Sequence, residues 1–123
     1  MTQDELKART KEFALRVIKL VRALPKTTEG RAIASQLIRS GMSVAANYRA
    51  ACRGRSRAEF VAKIGVVLEE ADETLLWLEL IVDGGLLPQG RCELLLGEAG
   101  ELVAILVATR KSALAKPNLK SEI

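Results

Sequence analysis

The sequence predicts an all-α protein, an antiparallel up-down-up-down four-helix bundle. Apolar residues recur at helical spacing in four blocks, Gly and Pro punctuate the chain between blocks, and no block shows the period of two that a half-buried strand requires. Hydrophobic residues make up 49% of the composition but aromatics only 3%, so the core must be built from Leu, Val, Ile and Ala, as in helix bundles. At 123 residues the chain fits one domain and can bury a core without metal or disulfide staples.

The first helix is expected over about 4–23, with Phe13, Val17, Leu20 and Leu24 on one face and Pro25 ending it. Thr27 or Thr28 can cap a second helix, about 28–53. Its inner stripe is Ile33, Leu37, Val44, Tyr48 and Ala51; Gly41 is tolerated at some cost in propensity, and Gly54 ends the helix. Ser56-Arg57-Ala58-Glu59 has the capping-box pattern, in which the Ser hydroxyl takes the amide three residues on and the Glu carboxylate returns to the Ser amide. It opens a third helix, about 57–83, whose stripe is Phe60, Ile64, Val67, Leu68, Ala71, Leu75, Leu78 and Val82, closed by Gly84-Gly85. Pro88 suits the first turn of a fourth, about 88–114, with Cys92, Leu95, Leu96, Ala99, Leu102, Val103 and Leu106 facing inward. Pro117 and a polar tail, 115–123, follow. Connections of a few residues can only reverse direction, which gives the up-down-up-down order.

Nothing in the residues points to catalysis, a metal or a cofactor. The chain has no histidine, and Cys52 and Cys92 lack CxxC spacing and fall in apolar stretches, so both are expected as buried thiols. Ser40 and Ser43 have no base, and Gly84-Gly85 lacks the Walker ending. Glu69-Glu70-Ala71-Asp72-Glu73 cannot make the di-metal site of a bundle without Glu-x-x-His and reads as a solvated face or as salt-bridge partners. Asn47, at the edge of the second helix's stripe, is expected to bond structurally to a neighbouring helix rather than to a ligand. The opening MTQDELKART carries acids and lacks an apolar core segment, which argues against a signal peptide, and no run reaches the length of a membrane span; no membrane association and a cytoplasmic location are expected.

Charge is the informative feature. The net charge is +4, but residues 1–64 hold 14 Lys/Arg against 5 Asp/Glu, and the rest 5 against 10. Arg31, Arg39, Arg49 and Arg53 share the back face of the second helix, continued by Arg55 and Arg57 in the turn and by Lys63 one turn later. Such a surface attracts phosphate backbones by counterion release and bidentate hydrogen bonds. Arg39, Arg49, Arg53, Arg55, Arg57 and Lys63 are therefore the candidate contacts to RNA or DNA. No aromatics lie among them to stack bases. The alternative is that they neutralise acids on the third helix or across a subunit contact. Apolar residues also lie off the core stripes: Leu15, Ile18, Met42, Val66, Leu76, Trp77 and Leu80, with Leu94 and Ile105. Clustered exposed apolar surface marks interfaces, so self-association is expected. In a second version of the protein's role these residues dock a partner protein and the arginines make its salt bridges.

Three stretches carry a family resemblance: Gln36-Leu37-Ile38-Arg39-Ser40, Ser43-Val44-Ala45-Ala46-Asn47, and Ser56-Arg57-Ala58-Glu59-Phe60, followed by Glu69 to Glu73. Over nearly the whole chain the sequence resembles the bacterial four-helix-bundle proteins encoded in intervening sequences of large-subunit ribosomal RNA genes. The usual Asn-Ile-Ala-Glu-Gly of that family is here Asn47-Tyr48-Arg49-Ala50-Ala51, so its glutamate is an alanine and a glycine is missing. The resemblance implies a homo-oligomer, commonly a pentameric ring, without known catalytic activity. The family is similar in fold to the accessory protein of diversity-generating retroelements, a basic pentamer that binds nucleic acid and a reverse transcriptase. That likeness implies Arg39, Arg49, Arg53, Arg55 and Arg57 as contacts.

Overall fold

The computed structural model describes residues 1–116, so Pro117 and most of the expected polar tail lie outside the described residues. Four helices form: α1 (Gln3–Val21), α2 (Thr28–Cys52), α3 (Arg57–Asp83) and α4 (Gln89–Ala115). Each packs against the next and α4 returns to α1, while the backbones of the two diagonal pairs stay apart. The result is a square antiparallel bundle. Its sides are unequal: α2–α3 is the most extensively packed and α1–α4 the thinnest.

Local chemistry sets the helix ends. Thr2, Thr27 and Ser56 occupy N-cap positions in extended conformation, and their hydroxyls accept from the amides of Glu5, Gly30 and Glu59, each at 3.1 Å. Such a cap contributes about 1 kcal/mol. α4 has no side-chain cap; Pro88 stands at its N-cap rather than inside its first turn, because its ψ of 146° is extended. α1 ends at Val21, before Pro25. The Ala23 and Leu24 amides then donate to Leu20 and Val21 in tight turns that keep Leu24 buried. At the end of α3 the Leu86 amide reaches back to Ile81 at 2.9 Å and the Gly85 amide to Val82 at 3.1 Å. This Schellman closure needs a left-handed residue, and Gly85 supplies it at φ 72°.

The interior is one aliphatic cluster drawn from all four helices. On α3 the buried line is Ile64, Val67, Ala71, Thr74, Leu78 and Ile81, while Phe60, Leu68, Leu75 and Val82, expected inside, flank it half-buried. The stripe is rotated because Thr74, a polar residue, belongs to it. Its hydroxyl lies 2.8 Å from that of Ser40 on α2 and 2.7 Å from the Glu70 carbonyl, and Ser40 in turn is 3.3 Å from the Leu37 carbonyl. Both hydroxyls are thus satisfied in a dry interface. Leu96 and Val103 on α4 and Ile33 on α2 are likewise half-buried. Gly41 lets α2 approach α1 closely, since a Cβ there would sit 2.9 Å from a Val17 methyl.

Candidate nucleic-acid interface

The antiparallel order brings the end of α2, the start of α3 and the end of α4 to one pole of the bundle. Arg49 and Arg53 lie exposed on the last turns of α2, Arg55 is exposed in the connection, Arg57 half-buried at the first residue of α3, and Lys63 exposed one to two turns on. Arg39 is exposed too, but ten residues before Arg49, about 15 Å along the helix at 1.5 Å per residue. It sits where its charge acts on Glu70 of α3. The structure therefore gathers Arg49, Arg53, Arg55, Arg57 and Lys63 and leaves Arg39 apart.

A further cation, which the sequence reading missed, stands on the α4 side of α3. Arg110 of α4 lies beside α3, its Nε 3.7 Å from the place a Cβ would take on Gly65. The signal exists only in the topology, because α4 must run back along α3 to bring it there. A shallow cleft of about 470 Å³ opens between α2 and α3, lined by Ala50, Arg53, Gly54, Glu59, Ala62, Lys63 and Val66, so two cations and one acid border it.

Among the described residues, ion pairs join Lys7 to Asp4 and Arg9 to Glu98 and Glu101. None of the six candidate cations has such a partner. Of the acids from Glu69 to Glu73, Glu70 is the one on which a candidate cation acts, and that cation is Arg39. Arg57 Nη1 is buried with no hydrogen-bond acceptor among the described residues. Glu59, the acid nearest the cations, is engaged: its carboxylate accepts from the Arg55 amide at 2.6 Å. That corrects the expected return to Ser56, since the bend at Arg55 and Ser56 turns the earlier amide over the first turn of α3.

Other candidates fall into structural roles. Asn47 donates from Nδ2 to the Ser43 carbonyl of its own helix at 3.0 Å, not to a neighbouring helix, the carbonyl one turn back being in reach of a half-buried amide. Cys92 is fully buried, and burial raises its thiol pKa. Cys52 is half-buried rather than buried, since it lies on the edge of α2 beside Tyr48. The Tyr48 phenol is pushed well up, by burial first and by Cys52 second. A raised thiol pKa works against nucleophilic use.

On α3, Glu69, Asp72 and Glu73 are exposed and Glu70 half-buried. The Glu70 carboxyl is held above its ordinary range by burial, then by the charges of Glu73 and Glu69, with Arg39 opposing. A carboxyl whose folded pKa is raised favours the fold while protonated, and that contribution is lost as pH rises through the folded pKa. Glu70→Gln should therefore raise the thermal midpoint at pH 7 and leave it little changed below the ordinary carboxylate range. Thermal unfolding followed by circular dichroism at pH 7 and at acid pH checks this.

Of the apolar residues expected outside the core, Leu15, Met42, Val66, Leu76 and Leu80 are exposed and Ile18 is half-buried. Trp77 does not project freely. With Ile105 it packs partly against the core cluster, because it shares the edge of α3 with buried Thr74 and Ile81, one turn away on either side. Leu94 is 82% exposed.

The family described as 23S rRNA-intervening sequence protein matches residues 3–108. No curated protein matches the chain significantly. A crystal structure from Bacteroides thetaiotaomicron, a protein with unknown function from the S23 ribosomal protein family, superposes with a TM-score of 0.82 at 32% identity, covering 90% of this chain and 99% of that one.

Proposed function

The chain belongs to the 23S rRNA-intervening sequence protein family, and on that premise we propose that it is a non-catalytic, cytoplasmic homo-oligomer that binds RNA or DNA through the phosphate backbone. The contact surface is the arginine pole: Arg49, Arg53, Arg55, Arg57 and Lys63, extended by Arg110, with Arg39 on its margin. One observation carries the reading. Among the described residues these cations stand together with no ion-pair partner. Phosphate oxygens are the acceptors that suit such a cluster, and arginine takes them two at a time. With no aromatic side chain among the cations, the surface has no platform on which to stack bases, so binding is insensitive to sequence. Two free thiols, one of them buried, suit a reducing compartment. The family resemblance supports assembly as a ring of five.

Filter binding of a generic RNA from low to physiological salt tests the proposal. Retention should fall steeply with salt, and the triple substitution Arg49→Ala, Arg53→Ala and Arg57→Ala should reduce the logarithmic slope by about 3, close to one per phosphate contact removed. Absence of retention at low salt would end the proposal. A second reading, a protein-interaction module, draws on exposed Leu76, Leu80 and Leu94. In that reading the same triple substitution breaks the assembly, whereas the nucleic-acid reading leaves the mass by light scattering unchanged.

A further inference from the structure

Two surfaces, which share only Val66 with the cleft of the arginine pole, complement each other in charge and in apolar pattern. The first is the outer face of α3. Val66, Glu69, Glu73, Leu76 and Leu80 recur there at alternating spacings of three and four, the pattern of a helix that meets another helix. The core side of α3 has its own buried line, so this second stripe has no use within the protomer. Its three apolar members are 38%, 47% and 41% exposed. Glu69 and Glu73 stand between them with no ion-pair partner among the described residues.

The second surface is the upper half of the α1–α4 side. There the two helices pack thinly and leave a groove of about 250 Å³ lined by Arg16, Lys19, Leu20, Arg91, Leu94 and Leu95. Three cations surround it and no acid does. Leu94 at its lip is 82% exposed. A groove between two antiparallel helices, apolar at the base and cationic on the walls, is the receptor for a third helix that is apolar along one line and acidic beside it.

We infer that the outer face of α3 of one copy seats in the α1–α4 groove of the next, with Glu69 and Glu73 against Arg16, Lys19 and Arg91 and with Leu76 and Leu80 against Leu94. The inference rests on the oligomeric part of the proposed function and deepens it by naming the faces that meet. Because the two patches differ, the contact is heterologous: each copy offers one and receives the other, so assembly passes beyond a dimer and ends when the ring closes. It also engages Glu69 and Glu73 without using the cations of the arginine pole, which stay open to phosphate.

Charge reversal tests it on the full chain, with mass read by light scattering and helicity by circular dichroism. One set is Glu69→Arg with Glu73→Arg; the other is Arg16→Glu, Lys19→Glu and Arg91→Glu. All five positions lie outside the buried core, and an acid at Arg91 suits the first turn of α4. Each set alone should lower the mass several-fold, to that of one chain, with helicity retained. Both sets in one chain should restore the original mass. An assembly that ignores either set, or that the combination does not restore, overturns the inference and leaves the oligomer standing. A wild-type chain that stays monomeric at every concentration removes the oligomer itself. If the second set leaves the mass intact but lowers RNA retention, the groove is a phosphate site and the pairing is wrong.

Discussion

Gly30→Ala should lower the unfolding free energy by about 3 kcal/mol, near the upper end for overpacking a filled site, and the melting temperature by about 10 °C. Gly30 is the third residue of α2, buried beneath the α1–α2 connection. A Cβ there would lie 2.0 Å from the Pro25 carbonyl oxygen and 3.1 Å from the capping hydroxyl of Thr27. The first contact is with backbone, so relief requires moving the connection, and moving it withdraws the cap. Gly97→Ala, in the middle of α4, is the matched control. Nothing lies within 4 Å of its Cβ position, so the change should stabilise by about 0.8 kcal/mol through helix propensity alone. Thermal or urea unfolding of the two variants should give shifts of opposite sign. Equal small shifts would mean that the connection does not press on α2 as described.

The second large effect belongs to the α1–α4 side. Arg9 donates to both carboxylate oxygens of Glu98 at 2.7 Å, with side-chain exposures of 27% and 14%, and Glu101 stands at 3.5 Å on the rim. Where helix packing is thin, this fork is the main polar tie. Arg9→Ala leaves the Glu98 charge largely out of water without its partner and should cost about 2 kcal/mol, less than for a fully buried pair because part of the site is wet. Arg9→Met combined with Glu98→Leu should come close to wild type, since the desolvated charge leaves along with its mate. Denaturant titration of wild type, the single variant and the pair decides it. A pair less stable than the single variant would show that the ions contribute more than their burial costs.

What could be read from the chain was what local chemistry dictates. Thr27 and Ser56 cap the helices they precede because a hydroxyl and an amide three residues on meet wherever a helix starts. Most of the core lines of α1 and α2 followed from apolar spacing, although Ile33 is half-buried and the buried Thr10 and Ser40 were passed over. On α3 that spacing misled, as a search for apolar side chains passes over Thr74, whose place inside depends on Ser40, 34 residues away, satisfying its hydroxyl. The candidate interface divides in the same way. Arg49, Arg53, Arg55 and Arg57 are neighbours along the chain and could be found by counting. Arg110 comes beside Gly65 of α3 only through the antiparallel return of α4, and the Arg9–Glu98 fork spans 89 residues. Arg39 looked contiguous by helical angle, which ignores the rise along the axis that sets it apart.

The chain contains a single tryptophan, and it lies at the border between the dry interior and the outer surface of α3, flanked by exposed Leu76 and Leu80. The molecule thus carries a fluorophore of its own next to the side chains that a neighbour would cover. Its emission wavelength and its accessibility to a soluble quencher report on that face directly, without labelling, and Tyr48, buried on α2, supplies a second chromophore away from it.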